Sequence, residues 1–538
     1  MFKGHPRGLP VLFFTEMWER FGYYLMLGIF SLYMLDPNEA GPFGGMGFTR
    51  EWAAEVYGSY LALVYLTPFF GGIIADRFLG YRKSVFIGGV LMSAGYFALA
   101  IPGVTMFYVA LLLIVAGNGF FKPNISTLVG RLYPEGSKLK DSGYNIFYMG
   151  INIGAFVCNF VAALLRNRFG WGYAFAAAGI GMLLGLVIFY LGQKHLKEVH
   201  DRGEEGSVAD TGIIGQLIFQ VIIPAGIAGV IGYLFFGGVF GSPQTAAFIF
   251  AAIPVIAYFA MLLIRAPHHE KGPIGALLSI FAVVIVFWMI FHQSGSSLTY
   301  WAEENTRREA GALGPVLRFF QFDQDATIGT SIQNPDTVGS YWRNVPPQER
   351  PEPGQRATLI STEIFQSINP FFIVFLTPLL VGFFGWLRRR GKEPSTPAKI
   401  AWGMFITAIS ALFMVMAVWV AGNGKASAWW LVATYGIISL GELCLSPMGL
   451  ALVSRLSPKR VTALMMGGWF LATSIGNKLS GVLAGLWERV PSLDWIFLIN
   501  FVSALAAALV IAALTPWIRR VMAAHETNMA GKAKKAGG

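Results

Sequence analysis

Two cysteines stand in a chain of 538 residues, and only 13% of the chain is charged, against roughly 25% in an ordinary soluble domain. Cys158 and Cys444 both lie inside apolar runs, so neither a disulfide framework nor a cysteine metal site is available. The chain has no HExxH and no GxSxG, and its seven histidines, at 5, 195, 200, 268, 269, 292 and 525, lack metal-ligand spacing. Enzyme chemistry, a metal and a cofactor are therefore not expected. What is abundant is apolar: 55% hydrophobic residues, with 64 Gly and 45 Phe. That composition excludes disorder and a collagen-like chain and leaves a polytopic helical membrane protein. The net charge of +11 raises nucleic acid as a partner, but the basic residues fall between apolar runs instead of on a soluble module, and no nucleic acid is expected.

A spanning helix needs about 20 largely apolar residues, and the chain breaks into runs of that length at 9 to 35, 53 to 78, 80 to 101, 105 to 130, 143 to 166 and 171 to 193. Two more run from 213 to 239 and 244 to 265. Six follow, at 275 to 301, 358 to 387, 397 to 421, 428 to 455, 461 to 486 and 494 to 519. The pattern predicts fourteen transmembrane helices and no strands. The polar stretch 194 to 212 separates the first six runs, so two six-helix units flank an extra pair, with units at 1 to 193, 194 to 274 and 275 to 520 and a tail at 521 to 538. Basic residues such as Arg82, Lys83, Lys138, Lys140, Arg388, Arg389, Arg390, Lys459 and Arg460 cluster in alternate connections, which places both termini in the cytoplasm. The first run holds Glu16, Glu19 and Arg20 and is a retained helix, not a cleaved leader. The long outside loop 303 to 357, with Asn334, Pro335, Pro346, Pro347, Pro351 and Pro353, reads as slack.

An ionised side chain at mid-bilayer costs about 2.5 to 3.5 kcal/mol, so each needs a partner or a wet cavity. Six stand out. Glu16, Glu19 and Arg20 in EMWERFGYY share one helix face; Lys122 lies in GNGFFKPN, Glu442 in GELCLSP and Lys478 in SIGNKLSG. These charges either lock helices together or line a functional cavity. Helix association alone would use Gly, Ser or Ala, which favours function for the first cluster and for Glu442, where Pro447 is expected to interrupt the helix. Lys478 could equally snorkel to the interface. Tyr23, Tyr24, Tyr65, Trp288 and Trp469 lie within runs, as do Asn152 and Asn369, and each is either packing or pocket lining.

Together these residues resemble the proton-dependent oligopeptide transporter family of the major facilitator superfamily. EMWERFGYY (16 to 24), GGIIADRFLGYRKS (71 to 84), GNGFFKPN (117 to 124) and YNIFYMGINIGAF (144 to 156) are similar to its first-half motifs. QSINP (366 to 370), GELCLSP (441 to 447) and GGWFLATSIGNKL (467 to 479) are similar to those of the second half, and the extra pair resembles that of prokaryotic members. The resemblance implies an all-α major facilitator fold, working as a monomer in the cell (inner) membrane, that imports di- and tripeptides with protons by alternating access. Glu16, Glu19, Arg20 and Lys122 would couple protons. Lys122 and Glu442 would face the two charged ends of the peptide, and Tyr23, Tyr24, Tyr65, Asn152, Trp288, Asn369, Ser446 and Trp469 would line its pocket.

Two departures stand against the family pattern. Leu27 occupies a position that is often basic, and His292 in FWMIFHQ one that is commonly acidic. Losing both members of a pair avoids a stranded charge, and His292 then becomes a candidate proton carrier. The alternative cargo on the same fold is another small solute such as nitrate or a peptide-like compound, which Glu442 disfavours. A channel would need no buried compensating ions.

Overall fold

The computed structural model describes residues 2–536, less 40, 135, 136, 138, 197–217, 328–339, 343, 344, 346, 347, 349, 351–355, 423, 459 and 460. The first bundle is α1 (Gly8–Leu35), α2 (Arg50–Ile74), α3 (Tyr81–Leu99), α4 (Val104–Arg131), α5 (Lys140–Phe169) and α6 (Trp171–Gly192). The extra pair is α7 (Ile223–Phe235), led in by a π-turn at Ile218–Ile222, and α8 (Pro243–Arg265). The second bundle opens with α9 (His268–Phe291), which runs through a tight turn into the short α10 (Ser297–Glu304). After the loop, with its seven-residue α11 (Gly314–Phe320), come α12 (Ile368–Arg389), α13 (Thr396–Ala421), α14 (Trp429–Leu456), α15 (Thr462–Ala484) and α16 (Asp494–Ala536).

Every one of the fourteen apolar runs thus holds a helix. Among the described residues ten helices are long and apolar enough to cross a membrane; α1 falls outside that count because it carries Glu16, Glu19 and Arg20, and α7 because its described part is short. Stretches 197–217 and the six loop residues Asn334 to Pro353 named above lie outside the described residues, as do Lys138, Lys459 and Arg460. The segment read as a tail continues α16 as helix to Ala536.

Side-chain size sets how the bundles close. Added at Gly71, a Cβ would lie 1.9 Å from the Gly119 carbonyl, and at Gly88 2.6 Å from that of Gly117, so α2, α3 and α4 meet backbone to backbone. Gly80, at φ +80°, provides the left-handed residue that ends α2 and starts α3. Thr49 caps α2 by accepting from the Trp52 amide at 3.2 Å, and Ser242 caps α8 from Thr245 at 3.1 Å. One apolar core is drawn from residues 9 to 196 and a second from 258 to 518. The architecture is the all-α one expected: two six-helix bundles with an extra pair between them.

Three expectations fail. Strands are present: β1 (Thr306–Arg307) pairs in parallel with β4 (Ala426–Ser427), and β2 (Asp323–Thr327) pairs antiparallel with β3 (Arg356–Ile360). They lie in connections on the face opposite the termini, where water, not lipid, satisfies sheet edges. The loop is therefore no slack: Arg308 is fully buried within it, bonded to the Ile360 carbonyl and Gln324, and Tyr341, Trp342, Val345 and Leu359 form a small core of their own. Pro447 does not interrupt α14, which runs unbroken to Leu456. Membrane helices tolerate proline when the freed carbonyl finds other partners.

Candidate substrate and proton site

Glu16, Glu19 and Arg20 occupy two successive turns of α1, and burial is complete or nearly so: 0%, 0% and 5% exposed. Arg20 forks onto Glu19 through Nε and Nη2, stands 3.5 Å from Glu16 and donates to Asn118 of α4 at 3.4 Å. Lys122 of α4 pairs with the same Glu16 oxygen. Two carboxylates and two cations thus share one buried network, and Glu16 Oε2 has no hydrogen-bond partner among the described residues. The Lys122 side chain remains 29% exposed, the least enclosed member of the four.

Glu442 stands on α14 in the other bundle, where Asn369 of α12 donates to it at 3.2 Å and to Ser439 at 2.8 Å. Tyr24 and Tyr65 each lie within electrostatic range of both Arg20 and Glu442. Tyr23 is buried beneath the Arg20 guanidinium, 4.7 Å from its ring centre, with its hydroxyl unpartnered. Trp288 lies 6.3 Å from Tyr65 between ring centres. Ser446 is half-buried one turn beyond Glu442. Asn152 spends its amide on the Tyr148 carbonyl at 2.9 Å, and Trp469 lies so close over Gly449 that a Cβ there would be 2.1 Å from the ring.

His292 closes the far end of this space, 6% exposed, with Tyr65 at 5.6 Å and Trp288 at 5.0 Å. Its Nδ1 has no hydrogen-bond partner among the described residues, and Leu27 is buried as an ordinary apolar residue. Beyond His292 the two bundles are joined. Ser31 donates to the Gly295 carbonyl at 2.5 Å, Gln366 to that of Gly28 at 3.1 Å, Ser367 to that of Phe156 at 2.8 Å, and Ser474 to that of Ala62 at 2.8 Å. Ion pairs add to these: Arg50 with Glu304, Arg166 with Glu363 at 3.0 Å, and Arg168 with Asp323 at 3.0 Å. Toward the termini Tyr148 and Tyr144 are 40% and 38% exposed, whereas the far face is closed by these contacts.

Sequence reasoning missed three kinds of residue. Glu55 of α2, inside a predicted run, is the partner of Lys478, which is 2% exposed and also donates to Ser59 at 3.0 Å; Lys478 does not snorkel. Tyr148 interacts with Glu442 and Asn152; its place one turn before Asn152 in a quoted motif was the available signal. The far-face pairs of Arg50, Arg166 and Arg168 gave none, since each partner is set by tertiary packing.

Two six-helix bundles that carry buried charges and are joined at their far face define a membrane transport protein. The sequence pattern of the POT family matches residues 82–316 and 355–499, and the chain belongs to that family. It is 31% identical over 528 residues to the uncharacterized transporter YclF of Bacillus subtilis (strain 168), covering 97% of this chain and 96% of that one. It is 30% identical to a di-/tripeptide transporter of Lactococcus lactis subsp. lactis (strain IL1403), over 96% and 97%. Among solved structures it is similar to the peptide transporter POT in complex with sulfate, at TM-score 0.77 and 30% identity with 97% of each chain covered. A POT family transporter in complex with 5-aminolevulinic acid gives 0.74 and 28%, over 96% of this chain and 98% of that one.

Proposed function

We propose that this protein imports di- and tripeptides together with protons by alternating access, as a monomer in the cell membrane with both termini cytoplasmic. One observation carries the reading: buried charges stand on both bundles, Lys122 and Arg20 on one and Glu442 on the other, and Tyr24 and Tyr65 lie within electrostatic range of both Arg20 and Glu442. A short peptide has an ammonium group at one end and a carboxylate at the other, and this pair of poles orients it. Lys122 takes the carboxylate, Glu442 and Asn369 the ammonium, while Tyr23, Tyr24, Tyr65, Asn152, Trp288, Ser446 and Trp469 form the walls. An inorganic anion such as nitrate has no use for Glu442.

Coupling follows from the shared oxygen of Glu16. When a substrate carboxylate draws Lys122 away, Glu16 keeps only Arg20, which is already forked onto Glu19. A buried carboxylate that loses a counter-charge takes up a proton. Proton and peptide then compete for, or share, one set of partners. In the closed far end an imidazolium at His292 would meet no ion-pair partner among the described residues, so its protonation belongs to the state in which Tyr65 and Trp288 part. The test is uptake of labelled dialanine into liposomes under an imposed pH gradient, competed by unlabelled peptides and by nitrate. Accumulation that collapses with the gradient and yields to peptides supports the reading; uptake indifferent to the gradient, or competed by nitrate alone, overturns it.

A further inference from the structure

The loop after α10 carries a feature that transport does not explain. Residues 311–320, GALGPVLRFF, make a turn followed by α11, and their apolar side chains are uncovered: Leu313 57%, Val316 52%, Phe319 80% and Phe320 53% exposed. Seven residues of helix do not hold themselves in water, and four large apolar side chains on one short segment are an interaction surface.

The surroundings of that surface identify its partner. Phe320 stacks on Phe322 at 5.8 Å and 13°, and Phe322 meets Phe160 of α5 at 5.2 Å. The rings continue through Phe156 at 5.3 Å to Phe371 of α12 at 6.2 Å, and Phe371 lies parallel to Phe375. Phe371 and Phe375 are 50% and 55% exposed on a helix long and apolar enough to cross a membrane. The face of α11 is thus continuous with a lipid-facing strip. Depth agrees with this. Asp323 is held by Arg168 at 3.0 Å and by Asn167 at 3.1 Å near the end of α5, whereas Phe160 lies eight residues below Arg168, about 12 Å of helical rise.

We propose that residues 311–320 lie in the boundary between headgroups and acyl chains on the face opposite the termini, with the bilayer as their partner. Polar contacts at Arg168 fix the segment at headgroup level, and phenylalanines dip below it, as in interfacial helices generally. The segment is rooted in the second bundle's loop, and Phe322 and Asp323 just beyond it rest on α5 of the first, so lipid engages both bundles at the seam they must open.

A nitroxide attached to Phe319→Cys in proteoliposomes tests this, with Lys392→Cys, exposed in the connection before α13, as the water-facing control. Cys158 and Cys444 are buried, and the unsubstituted protein measures their labelling directly. The expected result is a ratio of oxygen to water-soluble nickel-chelate collisions about threefold or more above that of the control. A ratio equal to the control overturns the proposal. So does a spectrum broadened by spin-spin contact that sharpens on dilution with unlabelled protein, since a second copy would then cover the face.

Discussion

Lys478 of α15 reaches Glu55 of α2 across 423 residues of sequence, and neither side chain is more than 9% exposed. The pair lies beside a close backbone approach between the bundles, where a Cβ on Gly58 would be 2.8 Å from the Gly481 Cα. A joint this tight, carrying buried ions, is a hinge or clasp and leaves no room for substrate.

Breaking that pair should therefore damage stability more than recognition. Glu55→Gln leaves Lys478 buried without a counter-charge, a change worth about 3 to 5 kcal/mol. Glu55→Gln with Lys478→Met should recover most of it. Thermal unfolding of the four proteins in detergent gives the cycle directly, and additive effects would show that the two residues do not depend on each other.

At the coupling cluster, Lys122→Ala should abolish accumulation of peptide against a gradient. It removes the counter-charge that Glu16 would exchange for a proton. Uphill uptake of dialanine in a well-folded variant is the measurement, and uptake at the unmodified level would show that coupling lies elsewhere.

Glu442→Gln should weaken peptides with a free amino terminus by about tenfold to a hundredfold, the worth of a charge-assisted hydrogen bond. An N-acetylated peptide should barely notice. Competition assays with the two peptides separate the cases, and equal losses would make Glu442 structural.

His292→Gln keeps polar reach but cannot carry a charge. It should flatten the pH dependence of transport between about pH 5.5 and 7.5, the range around a free imidazole. An unchanged profile at normal rates would leave the ring a packing residue under Tyr65 and Trp288.

Outside the bilayer, Lys425 donates to the Glu304 carbonyl and lies 4.1 Å from the Tyr341 ring centre. Burial first, and then Arg308, push its ammonium down to about 8 from the ordinary 10.5. Below about pH 8 both folded and unfolded chains hold the proton. Between about 8 and 10.5 the unfolded chain binds more, so stability rises with pH across that window. Thermal midpoints from pH 7 to 10 should show this rise in the wild type and lose it in Lys425→Met.

The helices were legible because the bilayer allows little else: about 20 apolar residues with internally satisfied backbone. Glu16, Glu19, Arg20 and Lys122 were legible because charge there is expensive, and the structure gathers all four into one network. Glu55 escaped because, in the second turn of α2, a carboxylate reads as interfacial until its partner is seen. Arg166 and Glu363 are 197 residues apart, and no local pattern links them. The β2 and β3 strands escaped because short, polar, proline-flanked segments carry no apolar period; their pairing is imposed by the buried Arg308 beside them.

Glu55 has a second partner, the Thr245 hydroxyl at 3.2 Å, which caps the attachment of α8. Few other side chains of the extra pair are buried: Gly232 on α7, and Thr245, Ala246 and Tyr258 on α8. The pair is thus an outrigger lashed to the hull by a polar knot at Thr245 and by Tyr258, Phe259 and Leu262 against the second bundle's core. Its removal would untie Thr245 yet leave Lys478 holding Glu55, so a twelve-helix version of this chain would keep its clasp and its cleft.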